Sequence, residues 1–519
     1  MTIDEPATSV RILSVERVLP ATLAFPAPSV PDAVPFDGQD LAMPRMNMHC
    51  SWFLNVHDKP HLAAVSFEQI AQQVRTGLAS FIAQFPAATG QAKLHQDDSR
   101  WWLHYNGQGA DLHLAQVDAP LGDTWKGLGA KMDGDLAPRG VVIHNDEDSL
   151  FAVKLTRFSC GSLCLSTSTH HWLVDFVGYL DLMDLFGRAI ADPSVRLPAR
   201  NWSRNMLDLV KDTPPASIPG DEWFKERTKQ AVPTRQPGPC RNLLLLFTAD
   251  DLERLKQDMG KWAADAGEEC APPHQWISTN DALHALLWSS ISRVRGLEGD
   301  SRRTRLHTPL DGRIHVPRSL DKDAPYVGNV HPAHVMSARA DEVVVPRSKL
   351  FELAWRVRNE YTAPLDAPTM SAIVRDHNYA AEGSPPGFGS GRMPNQSAMF
   401  GDDVTISNVG KMDLRKRLDF GRELGGSPSS MCVLGIPAVQ MGPLTLRAAD
   451  GTALILPAPE TWTSYEAALS SRSGSYTADE VARGECKGKP GMLVLVGLRE
   501  QEVGGFLGDE LVSQFCHCL

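Results

Sequence analysis

Ser166-Thr-Ser-Thr-His170-His171-Trp-Leu-Val-Asp175-Phe-Val-Gly178 stands where one kind of apolar pattern gives way to another. Before it, Phe151 to Phe158 and Leu163 to Thr169 read as strands joined by the turn Ser159-Cys-Gly-Ser162. After it, Phe176, Leu180, Met183, Phe186 and Ile190 recur at spacings of four and three and so share one face of a helix. Two histidines thus close a strand, and an acid four residues beyond the second is placed to cap the helix. A histidine titrates near pH 6.5, so a neutral ring held rigidly at such a junction can take a proton from a hydroxyl or an amine. A bare His-x-x-x-Asp match arises by chance in many chains. On the residues alone the junction fits both a structural histidine beside a capping aspartate, the commoner case, and a catalytic pair.

The rest of the chain also mixes helix and strand. Phe67, Ile70, Ala71, Val74, Leu78, Phe81 and Ile82 mark one helix, and Leu283, Leu286, Leu287, Ile291 and Val294 another, whose start is set by Ser278-Thr-Asn-Asp281. Later strands are expected at Leu444 to Leu446 and Leu454 to Leu456, around an Asp450-Gly451 turn, and at Met492 to Leu498. Six prolines, Pro214, Pro215, Pro219, Pro233, Pro237 and Pro239, interrupt the periodicity between Lys211 and Cys240. The boundary is placed there, which gives an N-terminal domain over 1–210, a Pro-rich crossover over 211–240 and a C-terminal domain over 241–519. Ser384-Pro-Pro-Gly-Phe-Gly-Ser-Gly391 reads as a long surface loop or lid.

Composition narrows the function classes. The 519 residues carry 51 Lys and Arg against 62 Asp and Glu, a formal net charge of −11, without a basic block. Nothing in that distribution suits a phosphate backbone or an anionic membrane, so neither nucleic acid nor membrane is expected as a partner. With no basic, apolar leader at Met1 and no apolar run of spanning length, the chain reads as a soluble, cytoplasmic protein. The nine cysteines are odd in number and scattered, which predicts reduced, mostly buried thiols. Neither His331-Pro-Ala-His334 nor Cys516-His-Cys518 offers a complete ligand set, so no metal and no permanently bound cofactor are expected.

Several fragments, taken in chain order, resemble one family. They are Phe81-Ile-Ala-Gln-Phe85-Pro86-Ala-Ala-Thr-Gly90, His171-x-x-x-Asp175, Ile277 to Trp288, Asp311-Gly-Arg313, Tyr326-Val-Gly-Asn329 and Asp419-Phe-Gly421. Each is weak alone; six in this order and spacing resemble the BAHD acyltransferases, in particular their fungal secondary-metabolite branch. The resemblance implies an α/β fold of two chloramphenicol-acetyltransferase-like domains, with mixed sheets flanked by helices and an active-site channel at their interface. It implies acyl-CoA, acetyl-CoA being one option, as co-substrate and a small-molecule acceptor with a hydroxyl or amine. It gives His171 the role of general base and has Asp175 turn away from the channel to pair with Arg313. Asp419 and Gly421 are implied to be architectural. Ser407 and Asn408 are candidates for the group that stabilises the oxyanion, and His170, a packing or hydrogen-bonding neighbour of the base, is a further candidate to assist at substrate or oxyanion. A monomer is expected, since the fused two-domain fold needs no partner.

Three positions depart from the family pattern. Phe176 replaces a glycine after the motif aspartate, Arg422-Glu423 replaces Trp-Gly after Asp419-Phe-Gly421, and Asn408 replaces a tryptophan. They keep two alternatives open: the same fold recruited to release, condensation or cyclisation of a polyketide or terpenoid, or a binding protein without catalysis.

Overall fold

The computed structural model of the chain describes residues 10–25, 30–43, 45–56, 59–95, 97–98, 100–121, 136–140, 148–216, 238–266, 276–316, 319, 321–330, 332–362, 365–382, 401–410, 412, 419–421, 424, 426, 430–434, 440–441, 444–445, 450–457 and 491–518. The centre of the Pro-rich crossover, the loop expected at Ser384 to Gly391 and the Arg422-Glu423 departure lie outside the described residues.

The first half contains strands β1 (Val10–Val18), β2 (Ala33–Pro35), β3 (Asn47–Leu54), β4 (Gln91–His95), β5 (Arg100–His104), β6 (Ala110–Val117), β7 (Phe151–Phe158) and β8 (Leu163–His170). Its helices are α1 (Gly38–Leu41), α2 (Phe67–Gln84), α3 (Phe176–Ala191) and α4 (Met206–Val210). Ser66 starts α2 by a capping box with Gln69, which satisfies two amides that the first turn leaves free. The predicted apolar stripe of α2 is buried from Ile70 onward, with Phe67 half-buried, and the helix packs against α3, whose Met183, Phe186 and Ile190 are themselves buried.

The second half contains β9 (Cys240–Phe247), β10 (Arg303–Pro309), β11 (Ala333–Arg339), β12 (Val404–Asn408), β13 (Ser430–Leu434), β14 (Gln440–Met441), β15 (Leu444–Thr445), β16 (Thr452–Pro457), β17 (Met492–Arg499) and β18 (His517–Cys518). The helices that bear on the argument are α5 (Ala249–Asp265), α6 (Thr279–Val294), α7 (Ala340–Val343), α8 (Leu350–Thr362) and α9 (Ala367–Glu382). Ser278 caps α6 in a box with Asp281, where the sequence places the start.

Two mixed sheets organise these elements. One has strand order β1-β6-β7-β8-β3-β13, with β6 and β7 parallel and the remaining pairs antiparallel. The other runs β11-β10-β12-β16-β17-β9-β18, with β12 parallel to both of its neighbours. The uninterrupted apolar run Leu243 to Phe247 follows from two covered faces. Leu243, Leu245 and Phe247 join α5, α6 and α8 in one core, whereas Leu244 and Leu246, with Leu493 and Leu495 of β17, join the core of the first half.

Two expectations need correction. The segment 241–519 does not stay on its own side: β13 pairs antiparallel with β3 in the first sheet, and Phe420 and Leu424 are buried in the first core. The sheet edge left open by β3 is thereby paired, which no local pattern announces. Leu444 and Thr445 do not form a hairpin with the strand after Asp450-Gly451. They pair with Met441 and Gln440, while β16 takes β12 and β17 as neighbours, because a central position covers both of its edges.

Candidate active site

β8 delivers the two histidines. From Leu163 to Asp175 every residue is buried except His171, which is half-buried. The turn that follows β8 is closed from within, since Leu173 N–H donates to the His170 carbonyl at 2.9 Å and Trp172 N–H to His170 Nδ1 at 3.0 Å. Burial pushes the His170 pKa well below its ordinary value, with nearby Arg45 acting in the same direction. His170 is therefore a neutral ring whose Nδ1 accepts and whose proton sits on Nε2. Trp172, fully buried, donates its indole N–H to the Met43 carbonyl at 2.9 Å.

Asp175 begins α3. Its Oδ1 accepts from Gly178 N–H at 2.9 Å and from Arg313 Nη2 at 3.0 Å; its Oδ2 accepts from Arg313 Nη1 at 3.0 Å and from Val330 N–H at 2.8 Å. Burial would raise this carboxyl, but the bidentate guanidinium and two amides outweigh it and hold the pKa below the usual carboxylate range. Four donors leave the carboxylate nothing to offer an imidazole, so it does not act as the third member of a relay. Arg313 also donates to Asp311 and to the carbonyls of Tyr326 and Gly328. Burial acts to lower the Arg313 pKa, yet Asp175 and Asp311 raise it above its ordinary value. Phe176 sits as the first helical residue, and the close approach falls instead at Gly178. A β-carbon there would stand 2.1 Å from the Val327 carbonyl oxygen, so only glycine lets α3 dock on the second half.

Three residues without an assigned role in the sequence complete this region. His171 N–H donates to the Met46 carbonyl at 2.8 Å, and the His171 carbonyl accepts from Asn329 Nδ2 at 3.0 Å. Arg204 Nη1 donates to the Trp172 carbonyl at 3.2 Å. Asn329 and Arg204 both also donate to Asp40 Oδ1, at 2.8 and 3.1 Å. Asn329 lies in the quoted Tyr326-Val-Gly-Asn329 fragment. Asp40 and Arg204 carry no motif, and their pairing spans 164 residues, so nothing local could have revealed it.

The remaining candidates lie elsewhere. Ser407 and Asn408 end β12 and are half-buried. Asn408 Oδ1 accepts from Gly410 N–H at 2.8 Å, and its amide nitrogen donates to Asn280 Oδ1, so that side chain is committed within its own half. The Ser407 hydroxyl makes no hydrogen bond among the described residues. Asp419 and Gly421 pack at the far end of α3, against Gly187 and Ala191, about 18–24 Å along the helix from Asp175. Gly421 takes a left-handed φ of 81°, and Asp419 Oδ1 accepts its N–H at 2.8 Å. Among the described residues no three His, Cys, Asp or Glu side chains are arranged to hold a metal, and no helix is long and apolar enough to cross a membrane.

This fold of two mixed sheets, with half-buried His171 on a strand-to-helix turn of the first half, is shared by solved structures. TRI101 of F. graminearum, solved with coenzyme A and T-2 mycotoxin, matches it with a TM-score of 0.67 at 17% identity, over 94% of this chain and 99% of that one. Vinorine synthase matches with a TM-score of 0.62 at 15% identity, over 98% of both chains. The model of the Transferase family matches residues 16–361, and the chain belongs to that family, the BAHD acyltransferases. Acyltransferase uat1 of Mycosarcoma maydis is 43% identical over 523 residues, covering 96% of this chain and 99% of that protein.

Proposed function

We propose that this acyltransferase moves an acyl group from an acyl-CoA to a hydroxyl or amine of a hydrophobic small molecule, with His171 as general base. The observation that carries this reading is the contrast within one turn: His171 alone reaches out of a buried stretch, and its backbone is held on both sides. In the reaction the acceptor's proton passes to the His171 imidazole as its oxygen or nitrogen attacks the thioester carbonyl carbon. The carbon–sulfur bond then breaks, and the proton passes from the imidazolium to the departing thiolate. Both substrates bind together, so proximity replaces an acyl-enzyme. Asp175 and Arg313 support the turn without touching substrate. Ser407, whose hydroxyl makes no hydrogen bond among the described residues, is the better candidate for the developing oxyanion than Asn408, whose amide is bonded to Asn280 and Gly410. Asp419 and Gly421 are architectural. TRI101, whose fold this chain shares, was solved with coenzyme A and T-2 mycotoxin, which supports an acyl-CoA donor and a small-molecule acceptor. The same reading takes the protein as a cytoplasmic monomer.

The test is release of free thiol from acetyl-CoA and benzoyl-CoA in the presence of a panel of alcohols and amines. The expected result is acceptor-dependent release that His171→Ala lowers by about two to four orders of magnitude without loss of folded structure. A His171→Ala chain that kept most of its rate would remove the base from the mechanism.

A further inference from the structure

We infer that Asp40, acting through Asn329 and Arg204, is the hub that positions His171, an inference that rests on His171 being the base. The direction of a Cα–Cβ bond is fixed once the peptide planes on either side of the Cα are fixed, because φ and ψ are the only soft backbone dihedrals. Both planes at His171 are pinned. The preceding plane is held through the His171 N–H to the Met46 carbonyl at 2.8 Å, the following one through the His171 carbonyl to Asn329 Nδ2 at 3.0 Å. The next carbonyl, that of Trp172, is held by Arg204 Nη1 at 3.2 Å.

Asn329 and Arg204 do not stand independently. Asp40 Oδ1 accepts from Asn329 Nδ2 at 2.8 Å, from Asn329 N–H at 3.4 Å and from Arg204 Nη1 at 3.1 Å. Asp40 Oδ2 accepts from Asp37 N–H at 3.3 Å. Asp40 and Asn329 are fully buried and Arg204 is 3% exposed, so all three are shielded from substrate as well as from water. Arg204 is also the one non-glycine residue with a positive φ, 54°, among the described residues. A side chain that tolerates a left-handed backbone to keep a buried contact marks a position where geometry outweighs local strain. One carboxylate therefore orients two donors, each of which spends a second contact on a successive carbonyl of the turn. Asn329 comes from the second half, so His171 stands correctly only when the halves are docked.

The test separates position from stability and from binding. With acetyl-CoA and the best acceptor of the panel, Asn329→Ala is expected to lower kcat roughly ten- to a hundredfold, the scale of a misplacement of about 1 Å, while KM for both substrates stays within about twofold. Added to His171→Ala, the same substitution is expected to change the residual rate no further, since both act through one imidazole. Arg204→Lys, which keeps a charged donor beside Asp40, is expected to retain more of kcat than Arg204→Met. If Asn329→Ala does not fold, Asn329→Ser, too short to span both acceptors, is measured against the same expectations. A kcat within twofold of the parent, an undiminished effect of Asn329→Ala in the His171→Ala chain, or equal losses for the two Arg204 variants would overturn the assignment. Activity surviving in His171→Ala alone would instead defeat the reading of His171 as base, so the two failures are distinguishable.

Discussion

The turn at His171–Asp175 and the strand end at Ser407–Asn408 both offer polar groups, and they are fastened in opposite ways. The turn belongs to the first half but is held by Arg313, Asn329 and Val330 of the second. The strand end is tied to Asn280 and Gly410 of its own half. A group tied across the boundary reports whether the halves are docked; a group tied at home does not. Damage to the boundary should therefore reach His171 first.

The largest effect expected from this contrast is that of Asp175→Ala. It leaves Arg313 buried without its main partner, and breaking such a pair costs about 3–5 kcal/mol, so melting temperature and transfer rate should fall together. An unchanged melting temperature would break the comparison, because the turn would then not depend on the second half.

A pH series sharpens it. Asp37 caps α1, accepts from Met206 N–H at 2.9 Å, and has its pKa pushed up to about 7 by burial and by neighbouring Asp40. A carboxyl raised in the folded state contributes stability that is complete below its ordinary range and lost as pH rises through about 7. Asp175, held low, contributes stability above its ordinary value that is lost as pH falls below it. Stability should thus decline from pH 5 to pH 8 by on the order of 1–4 kcal/mol. Asp37→Asn should flatten that slope, whereas a slope unaltered in the variant would clear Asp37 of it. The smallest effect belongs to Asn408→Ala, which removes hydrogen bonds confined to one half and should cost about 1 kcal/mol. Its transfer rate, followed by thiol release, should stay within a few-fold of the parent. A loss of hundredfold would return Asn408 to the reaction centre.

Periodicity and capping made much of this fold legible. The helices at 67–84 and 279–294 and the strand–turn–helix passage through 151–191 follow from repeats of two and of three to four, with Ser278 and Asp175 marking starts. Where register depends on distant partners, the sequence is silent. Nothing near residue 430 says that its strand completes a sheet begun at residue 10, and the apolar residues at 444–446 are equally suited to several neighbours. Motif order brought His171, Asp175 and Arg313 into view. Asp40 and Arg204 stayed hidden because an aspartate in Asp37-Gly-Gln-Asp40 and an arginine in Ser203-Arg-Asn205 look like ordinary surface charge until the chain brings them together.

The return of β13 to β3 has a consequence for biosynthesis. β3 ends at Leu54, and the strand that pairs with its free edge begins at Ser430, so a growing chain carries an unpaired edge while the intervening 375 residues are made. At roughly 5–20 residues per second that interval lasts about 20–75 s. Throughout it the first sheet can collapse around α2 and α3, yet Asn47 to Leu54 remains a template for any other nascent strand nearby. Yield of the intact chain should therefore be governed by the speed of translation and by chaperone occupancy of that edge, independently of how stable the finished molecule is.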